Sequence, residues 1–375
     1  MREVSARPDL RLRILCSGTH LSEEFGRTVT AIEKDGFTVD RTVDIRAGGK
    51  TTGDVCRSMG LALAGCGDAL EALAPDCLVI LGDRYEAFCA AAAAAVQRIP
   101  VAHIHGGEVT AGAVDDCFRH AITKMSHLHF ASTEAYRRRI VQLGEHPDRT
   151  RTVGALGIEV LRCTHLLELP ELSAQLDMAL RPGFLLVTYH PETLTHTPPA
   201  EQVNELIDAL RCFPRRQIVF TKANADAGGR EINRRLRHFC RTDPARLRLF
   251  DSLGQRNYLS ALKQCGAVVG NSSSGIIEAP SLQTPTVNVG RRQEGRVRAR
   301  SVLDCETDAD AVVQAVQKAL SPDTAQQLRT VSNPYERPDT AVRIVDAIGA
   351  LSPRETRLNK GFFDLPCTRE SEFSH

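Results

Sequence analysis

Almost no net charge survives the balance of 47 basic against 46 acidic residues in this chain of 375, and both signs are mixed throughout. A formal charge of +1 sets up no long-range field suited to nucleic acid or an anionic membrane, so neither partner is expected. Long hydrophobic runs are missing too: none approaches membrane-spanning length, and the start, Met1–Leu10, is too charged to read as a signal peptide. Tryptophan, low-complexity tails and short-period repeats are all absent. Twelve cysteines are present, but none forms a Cys-x-x-Cys pair, and Cys16, Cys77 and Cys265 fall in apparent core strands. Free thiols in a reducing cytoplasm are therefore the better reading than a disulfide framework.

What is there suits two ordinary α/β domains, with 42% hydrophobic residues available for their cores. In the first half, strands are expected at Leu10–Cys16, Thr38–Asp44, Cys77–Leu81, Val101–His105, His127–Ala131 and Thr150–Val153. Helices are expected at 22–33, 53–73 and Ala87–Val96, then from Asp115 and from Thr133. Cys77–Leu81 is apolar without interruption, the mark of a parallel strand covered on both faces. Strands alternating with helices at this spacing predict a doubly wound parallel sheet. An irregular, proline-marked stretch, Leu166–Pro182, is the expected interdomain connection. Beyond it a second series opens at Phe184–Thr188 and continues at Gln217–Thr221, Leu247–Phe250, Gly266–Val269 and Pro285–Val289. Asn333-Pro334-Tyr335 breaks the chain before a last amphipathic helix, Thr340–Leu351. The aromatic-bearing tail Lys360–Pro366 is expected to dock on a domain.

Ligands of such sheets bind beyond the carboxyl ends of the strands. Asp83-Arg84, Glu108 and Asp115 fall there, a candidate cluster of three carboxylates and a guanidinium, with Gly82, Gly106 and Gly107 allowing close backbone approach. Taken singly, each aspartate could be a helix cap. In the second half, Gly270–Glu278 places glycines and small hydroxyls where a strand hands over to a helix. Unpaired backbone N–H groups and the helix dipole could hold a phosphate there, or Asn271 and the serines could simply cap the helix. Glu278 lies too far into the helix to cap it and could accept hydrogen bonds from a ribose. Pro191 aims His190 toward the interdomain space. A base could lie against Leu253 or Tyr258. Five arginines between Arg291 and Arg300 form a solvated loop or neutralise a pyrophosphate by bidentate pairing. His103-x-His105, His127-x-His129 and His120 could suggest a metal, but no cysteine or carboxylate completes a ligand spacing. No metal or other cofactor is expected, and the strand histidines are expected to be hydrogen-bonded in the interior.

Six motifs then carry a resemblance that runs from about Leu10 to the tail. They are Gly82-Asp83-Arg84-Tyr85-Glu86, His103-Ile104-His105-Gly106-Gly107-Glu108, Arg119–His127, His190-Pro191-Glu192-Thr193-Leu194, Asn271–Glu278 and Gly295-Arg296-Val297-Arg298. In this order they resemble the hydrolysing UDP-N-acetylglucosamine 2-epimerases of sialic acid biosynthesis. The resemblance implies two Rossmann-like domains facing across a cleft, the glycosyltransferase-B type. Residues 1–168 would hold the catalytic carboxylates, 169–338 would bind UDP, and 339–375 would pack back on the domains. The implied reaction converts UDP-N-acetylglucosamine and water to N-acetylmannosamine and UDP, through elimination to 2-acetamidoglucal and hydration.

Asp83, Glu108 and Asp115 would then handle protons, and His190 would contact the leaving phosphate and act as an acid toward it. Ser272, Ser273 and Arg296 would cradle the pyrophosphate. The resemblance also implies that Arg84, Asn224, Glu278, Ser252 and Leu253 line the nucleotide site, and that Arg119 positions the sugar or pyrophosphate. The UDP-sugar is the expected partner, and a homo-oligomer, dimer or tetramer, is the expected assembly. The same chemistry on a UDP-linked 2,4-diacetamido trideoxy sugar, a glycosyltransferase of the same fold, and an inactive nucleotide-sugar-binding remnant are the competing readings.

Two departures stand out. Some relatives carry a catalytic glutamate where His105 stands, so here Glu108 serves or His105 takes part itself. Family members also begin with a strand and a Gly-Ser/Thr-Arg-Ala-Glu/Asp-Tyr loop that this chain lacks, so a start site placed too late or a damaged gene is expected. The chain as written is accordingly expected to be poorly stable and weakly active.

Overall fold

In the computed structural model, residues 1–23, 27–45, 51–109, 114–192, 195, 197–223, 228–351 and 359–366 are described. The chain divides into two compact units. The first comprises Met1–Glu108, Cys117–Val153 and Asp339–His375, and the second comprises Val109–Asp116 and Gly154–Pro338.

Parallel strands build the first unit. Two, β1 (Leu15–Ser17) and β2 (Arg41–Val43), pair with each other. Four more, β3 (Leu78–Leu81), β4 (Val101–Ile104), β5 (Leu128–Ala131) and β6 (Thr150–Thr152), form a second sheet in sequence order. The long helix Thr52–Leu73 begins in a capping box, with Thr51 accepting from the Asp54 N–H while the Asp54 side chain accepts from the Thr51 N–H. Its Ala62, Cys66, Ala69 and Leu70 pack with Val43, Ile80 and the alanines of the helix Tyr85–Val96 in one core. Those alanines let the second helix lie close, as their small size requires. One expectation fails here. Val79 and Leu81 are 46% and 59% exposed, so β3 is not covered on both faces. It is an edge strand of its sheet, and edge strands lose the shielding that a central position confers.

The second unit carries a six-stranded parallel sheet in the order β12-β11-β10-β7-β8-β9. Its strands are β7 (Leu185–Thr188), β8 (Ile218–Thr221), β9 (Leu247–Phe250), β10 (Ala267–Gly270), β11 (Thr286–Val289) and β12 (Val302–Cys305). The last was not anticipated. This is the doubly wound order in which the chain reverses direction between β7 and β10, the position where such sheets bind ligands. The structure thus bears out an α/β fold of two units built on parallel sheets, with the doubly wound strand order seen in the second.

The interdomain connection expected at Leu166–Pro182 is corrected, and with it the boundary at residue 168. That stretch belongs to the second unit, because Leu161, Leu167, Leu172, Leu176, Met178 and Leu180 are buried with Phe184, Leu186 and Val268. The change of unit comes at Val153–Gly154, and the chain returns to the first unit at Asp339. Thr340 donates its hydroxyl to the Val153 carbonyl at 2.8 Å, tying the returning helix Thr340–Gly349 to the end of β6.

The tail docks on the first unit, as its aromatics suggested. Lys360 Nζ reaches both Glu145 oxygens, at 2.9 and 2.8 Å, and the Ser126 carbonyl at 2.7 Å. Phe363 N–H donates to Gly144 O, and Phe362 lies under the Lys124 ammonium. Among the described residues the cysteines are free thiols, and no helix is long and apolar enough to cross a membrane.

Candidate active site

In the first unit the site is built where β3 and β4 end. Gly82 and Gly107 take positive φ, 84° and 73°, and a Cβ on Gly107 would stand 2.4 Å from the Tyr136 carbonyl oxygen. Only glycine fits there, and it turns the chain so that Glu108 points inward. Glu108 is 1% exposed. One of its oxygens accepts from Ser132 Oγ at 2.6 Å and lies 2.8 Å from His105 Nδ1; the other lies 3.9 Å from Arg119 Nη1.

Arg119, 3% exposed on the helix Asp115–Met125, donates Nη2 to Asp83 Oδ2 and Nη1 to the His105 carbonyl at 3.1 Å. Asp83, Glu108, His105 and Arg119 therefore form one connected set. Both terminal nitrogens of Arg119 are thus engaged within the set. Asp115 opens the same helix, half-buried, one turn before Arg119. Arg84 is exposed, 3.7 Å from Glu86 and stacked over Tyr85.

The histidines have interior roles. His103 donates Nε2–H to the Gly82 carbonyl at 2.8 Å, and its Nδ1 lies 3.2 Å from the Thr123 hydroxyl, which donates to the Arg119 carbonyl at 3.0 Å. Burial pushes its imidazole down to about 3, so it stays neutral and anchors the loop that carries Asp83. His129 lies on β5 directly beside His103 and bonds Glu145 at 3.0 Å. His105, by contrast, adopts φ 65° and keeps Nε2 buried without a partner among the described residues, an unsatisfied group beside a catalytic candidate.

In the second unit, the loops after β7 and β10 meet at the reversal point of the sheet. Gly270 (φ 129°) must be glycine, since a Cβ would sit 2.0 Å from the Thr188 carbonyl oxygen. The chain then presents Ser272, Ser273 and Ser274, all half-buried. Ser272 Oγ accepts from Ser274 N–H at 3.4 Å. The helix that follows, Ser274–Ile277, is a single turn, so hydroxyls and backbone N–H groups must supply most of any anion affinity. Burial pushes the Tyr258 hydroxyl up, and that hydroxyl faces Ser274, Ser272 and Thr188. Glu278 lies against Gly157, where a Cβ would come within 2.3 Å of its carboxylate oxygen.

Leu253 is 7% exposed in the core, so its side chain is not a surface for a base. Ser252 is exposed and accepts from Gly254 N–H at 3.1 Å. The arginine loop is not a solvated loop throughout: Arg292 donates to the Asn271 carbonyl, Arg296 to the Val109 carbonyl and Arg298 to Asp304. Asn224, Thr193 and Leu194 lie outside the described residues. Sequence reasoning missed Asn271 and Gln293 as individual contributors. Both are fully buried polar residues beside the serine turn, and their only signal was position.

A family model described as UDP-N-acetylglucosamine 2-epimerase matches residues 2–349. A Campylobacter jejuni GDP/UDP-N,N'-diacetylbacillosamine 2-epimerase (hydrolyzing) is 40% identical, covering 97% of this chain and 94% of that protein. Polysialic acid biosynthesis protein P7 of Escherichia coli is 36% identical over 96% of this chain and 92% of its own length. Among solved structures, the Methanocaldococcus jannaschii UDP-GlcNAc 2-epimerase in complex with UDP-GlcNAc and UDP superposes with a TM-score of 0.76 at 16% identity, covering 92% of this chain and 94% of that one.

Proposed function

Since the chain belongs to the UDP-N-acetylglucosamine 2-epimerase family, whose fold it shares, we propose that it is a hydrolysing epimerase releasing UDP and an N-acetylated mannosamine from an N-acetylated UDP-sugar. The observation that carries this reading is the connected set Asp83–Arg119–Glu108–His105 in the first unit, with Arg119 and Glu108 buried at its centre. Carboxylates held by a guanidinium at fixed positions suit a reaction that moves protons on a sugar carbon. The C2–H bond of the sugar is not acidic while C1 keeps its substituent. As the C1–O bond to the diphosphate breaks, positive charge develops at C1 and a carboxylate can take the C2 proton. The products of that step are UDP and 2-acetamidoglucal. Water then adds across the double bond, with a proton to C2 on the opposite face and hydroxide to C1.

In the second unit, Ser272 and Ser273 would hold the departing diphosphate, with His190 donating to it and Arg296 balancing its charge. Asp83 and Glu108 are the residues we assign to proton transfer, with Asp115 as a third carboxylate. Arg119 fixes their geometry. Arg84, Ser252 and Glu278 are assigned to the nucleotide.

UDP-N-acetylglucosamine is the first substrate to test. A second reading, the UDP-linked 2,4-diacetamido trideoxy sugar, is favoured by the name of the 40% identical relative, a diacetylbacillosamine 2-epimerase. Proton NMR in D2O with each sugar nucleotide decides between them. Deuterium at C2 of a free mannosamine, together with UDP, is expected from the preferred substrate. A free sugar that retains its C2 proton, or an epimerised sugar still attached to UDP, would overturn the hydrolysing assignment.

A further inference from the structure

Three loops of the second unit leave the ends of β7, β10 and β11, and buried amides knit them together. Asn271 is 0% exposed. Its side chain pairs with both backbone groups of His190: the His190 N–H donates to Oδ1 at 2.7 Å, and Nδ2 donates to the His190 carbonyl at 2.9 Å. The Asn271 N–H donates to the Thr188 carbonyl at 3.1 Å. The side chain thus continues the β7–β10 ladder one residue past the bend at Gly270. On its other side, the Asn271 carbonyl accepts from Gln293 Nε2 at 2.8 Å and from Arg292 Nη1 at 3.2 Å.

Gln293 is also 0% exposed, and its own carbonyl accepts from Arg298 Nη2 at 2.9 Å. Its Oε1 is buried and has no hydrogen-bond partner among the described residues. Turning the amide over would aim that oxygen at the Asn271 carbonyl, two acceptors face to face. The unsatisfied oxygen is the cost of keeping Nε2 on Asn271, and a fold bears such a cost where geometry matters. Neither side chain is open to a ligand, so neither can act by direct contact.

We propose that Asn271 and Gln293 are positioning residues. Gln293 fixes the Asn271 backbone, and Asn271 holds His190 and the start of the Ser272–Ser274 turn at one spacing, so imidazole and hydroxyls meet a diphosphate as a preformed set. The role in binding rests on the function proposed above; the clamp itself rests on the hydrogen bonds alone.

Gln293→Met tests it at nearly constant volume. The substitution removes one hydrogen bond together with the unsatisfied oxygen, and Arg292 still reaches the Asn271 carbonyl. The melting temperature should stay within about 2 °C of wild type, while UDP affinity falls roughly tenfold. Amide exchange at residues 190 and 271–274 should quicken. Asn271→Asp keeps the acceptor for the His190 N–H but sets a carboxylate against the His190 carbonyl. Its turnover should fall about tenfold or more and recover partly on acidification, when a protonated aspartate can donate again. Unchanged exchange in Gln293→Met overturns the clamp. So does wild-type UDP affinity, or an affinity loss matched by a collapse in melting temperature. Wild-type protein that fails to bind UDP would overturn the proposed function instead, and the exchange measurement would still judge the clamp.

Discussion

Lowering the pH from 8 to 5 should remove about 3 kcal/mol of stability from the first unit through His103 and His127. Burial pushes His103 down to about 3 and His127 to about 4, both below the usual 6.5. An unfolded chain therefore binds these protons before the folded one does. The stability they confer is complete above pH 6.5 and drains away as the pH falls from 6.5 toward 3. At pH 5, about 1.5 units below the unfolded value, His103 alone costs about 2 kcal/mol. His127 is partly exposed, and solvent screening reduces its share to about 1 kcal/mol. Glu145 does not blur this window. Burial raises its carboxyl, but hydrogen bonds from His129, Lys124 and Lys360 outweigh burial and hold it at about 2. Its contribution is lost only as the pH falls from about 4.5 toward 2.

Against a total stability of about 5–15 kcal/mol, such a loss is large enough to measure. The chain has no tryptophan, so urea unfolding should be followed by circular dichroism at pH 8, 7, 6 and 5. His103→Gln cannot take up the proton, so its stability should vary less steeply by about 1.4 kcal/mol per pH unit near pH 5. Its intercept will differ because a buried contact changes; the slope is the reading that counts. A wild-type slope below about 0.3 kcal/mol per unit between pH 7 and 5, or a His103→Gln curve parallel to wild type, would refute the reasoning.

Four further outcomes are expected. Lys360→Met at pH 7.5 should cost about 2 kcal/mol in urea unfolding, less than a fully orphaned buried charge because Lys124 and His129 still face Glu145. Arg119→Lys should cut turnover about 100-fold, since a single ammonium cannot serve Asp83, Glu108 and the His105 carbonyl together; UDP affinity by calorimetry should stay within about twofold. Ser272→Ala combined with Ser273→Ala should weaken UDP about tenfold or more, with an unchanged melting curve. Gly270→Ala should destabilise the second unit by about 3 kcal/mol or more, because φ is strained for alanine and the Cβ meets the Thr188 carbonyl, as thermal unfolding would show.

How much of this was legible beforehand depended on the range of the interaction involved. Strands such as Leu185–Thr188 and Ala267–Gly270 are short apolar runs bounded by turn residues, and each shows itself locally. The strand Val302–Cys305 did not, because Asp304 interrupts it and it lies at the sheet edge, where burial no longer demands apolar residues throughout. Residues 166–182 looked like a connection because their apolar positions are dispersed among prolines and charges; only packing against β7 and β10 makes them core.

The site divides along the same line. Asp83 and Glu108 could be placed at strand ends by counting residues, since a strand end is a local event. Arg119 is expected to position sugar or pyrophosphate, and nothing in a one-dimensional spacing shows that its guanidinium also pairs with an aspartate 36 positions away. Lys360 and Glu145, 215 positions apart, could not have been paired at all. The buried amides of Asn271 and Gln293 were hidden for the same reason, although they connect the loops whose ends were visible. Local pattern thus locates the candidate groups, and long-range pairing decides which of them are already engaged within the fold. Arg119 is the test of that distinction. If Arg119→Lys lost UDP affinity and turnover in equal measure, the guanidinium would be a ligand-binding group after all, and the local reading would have been the better one.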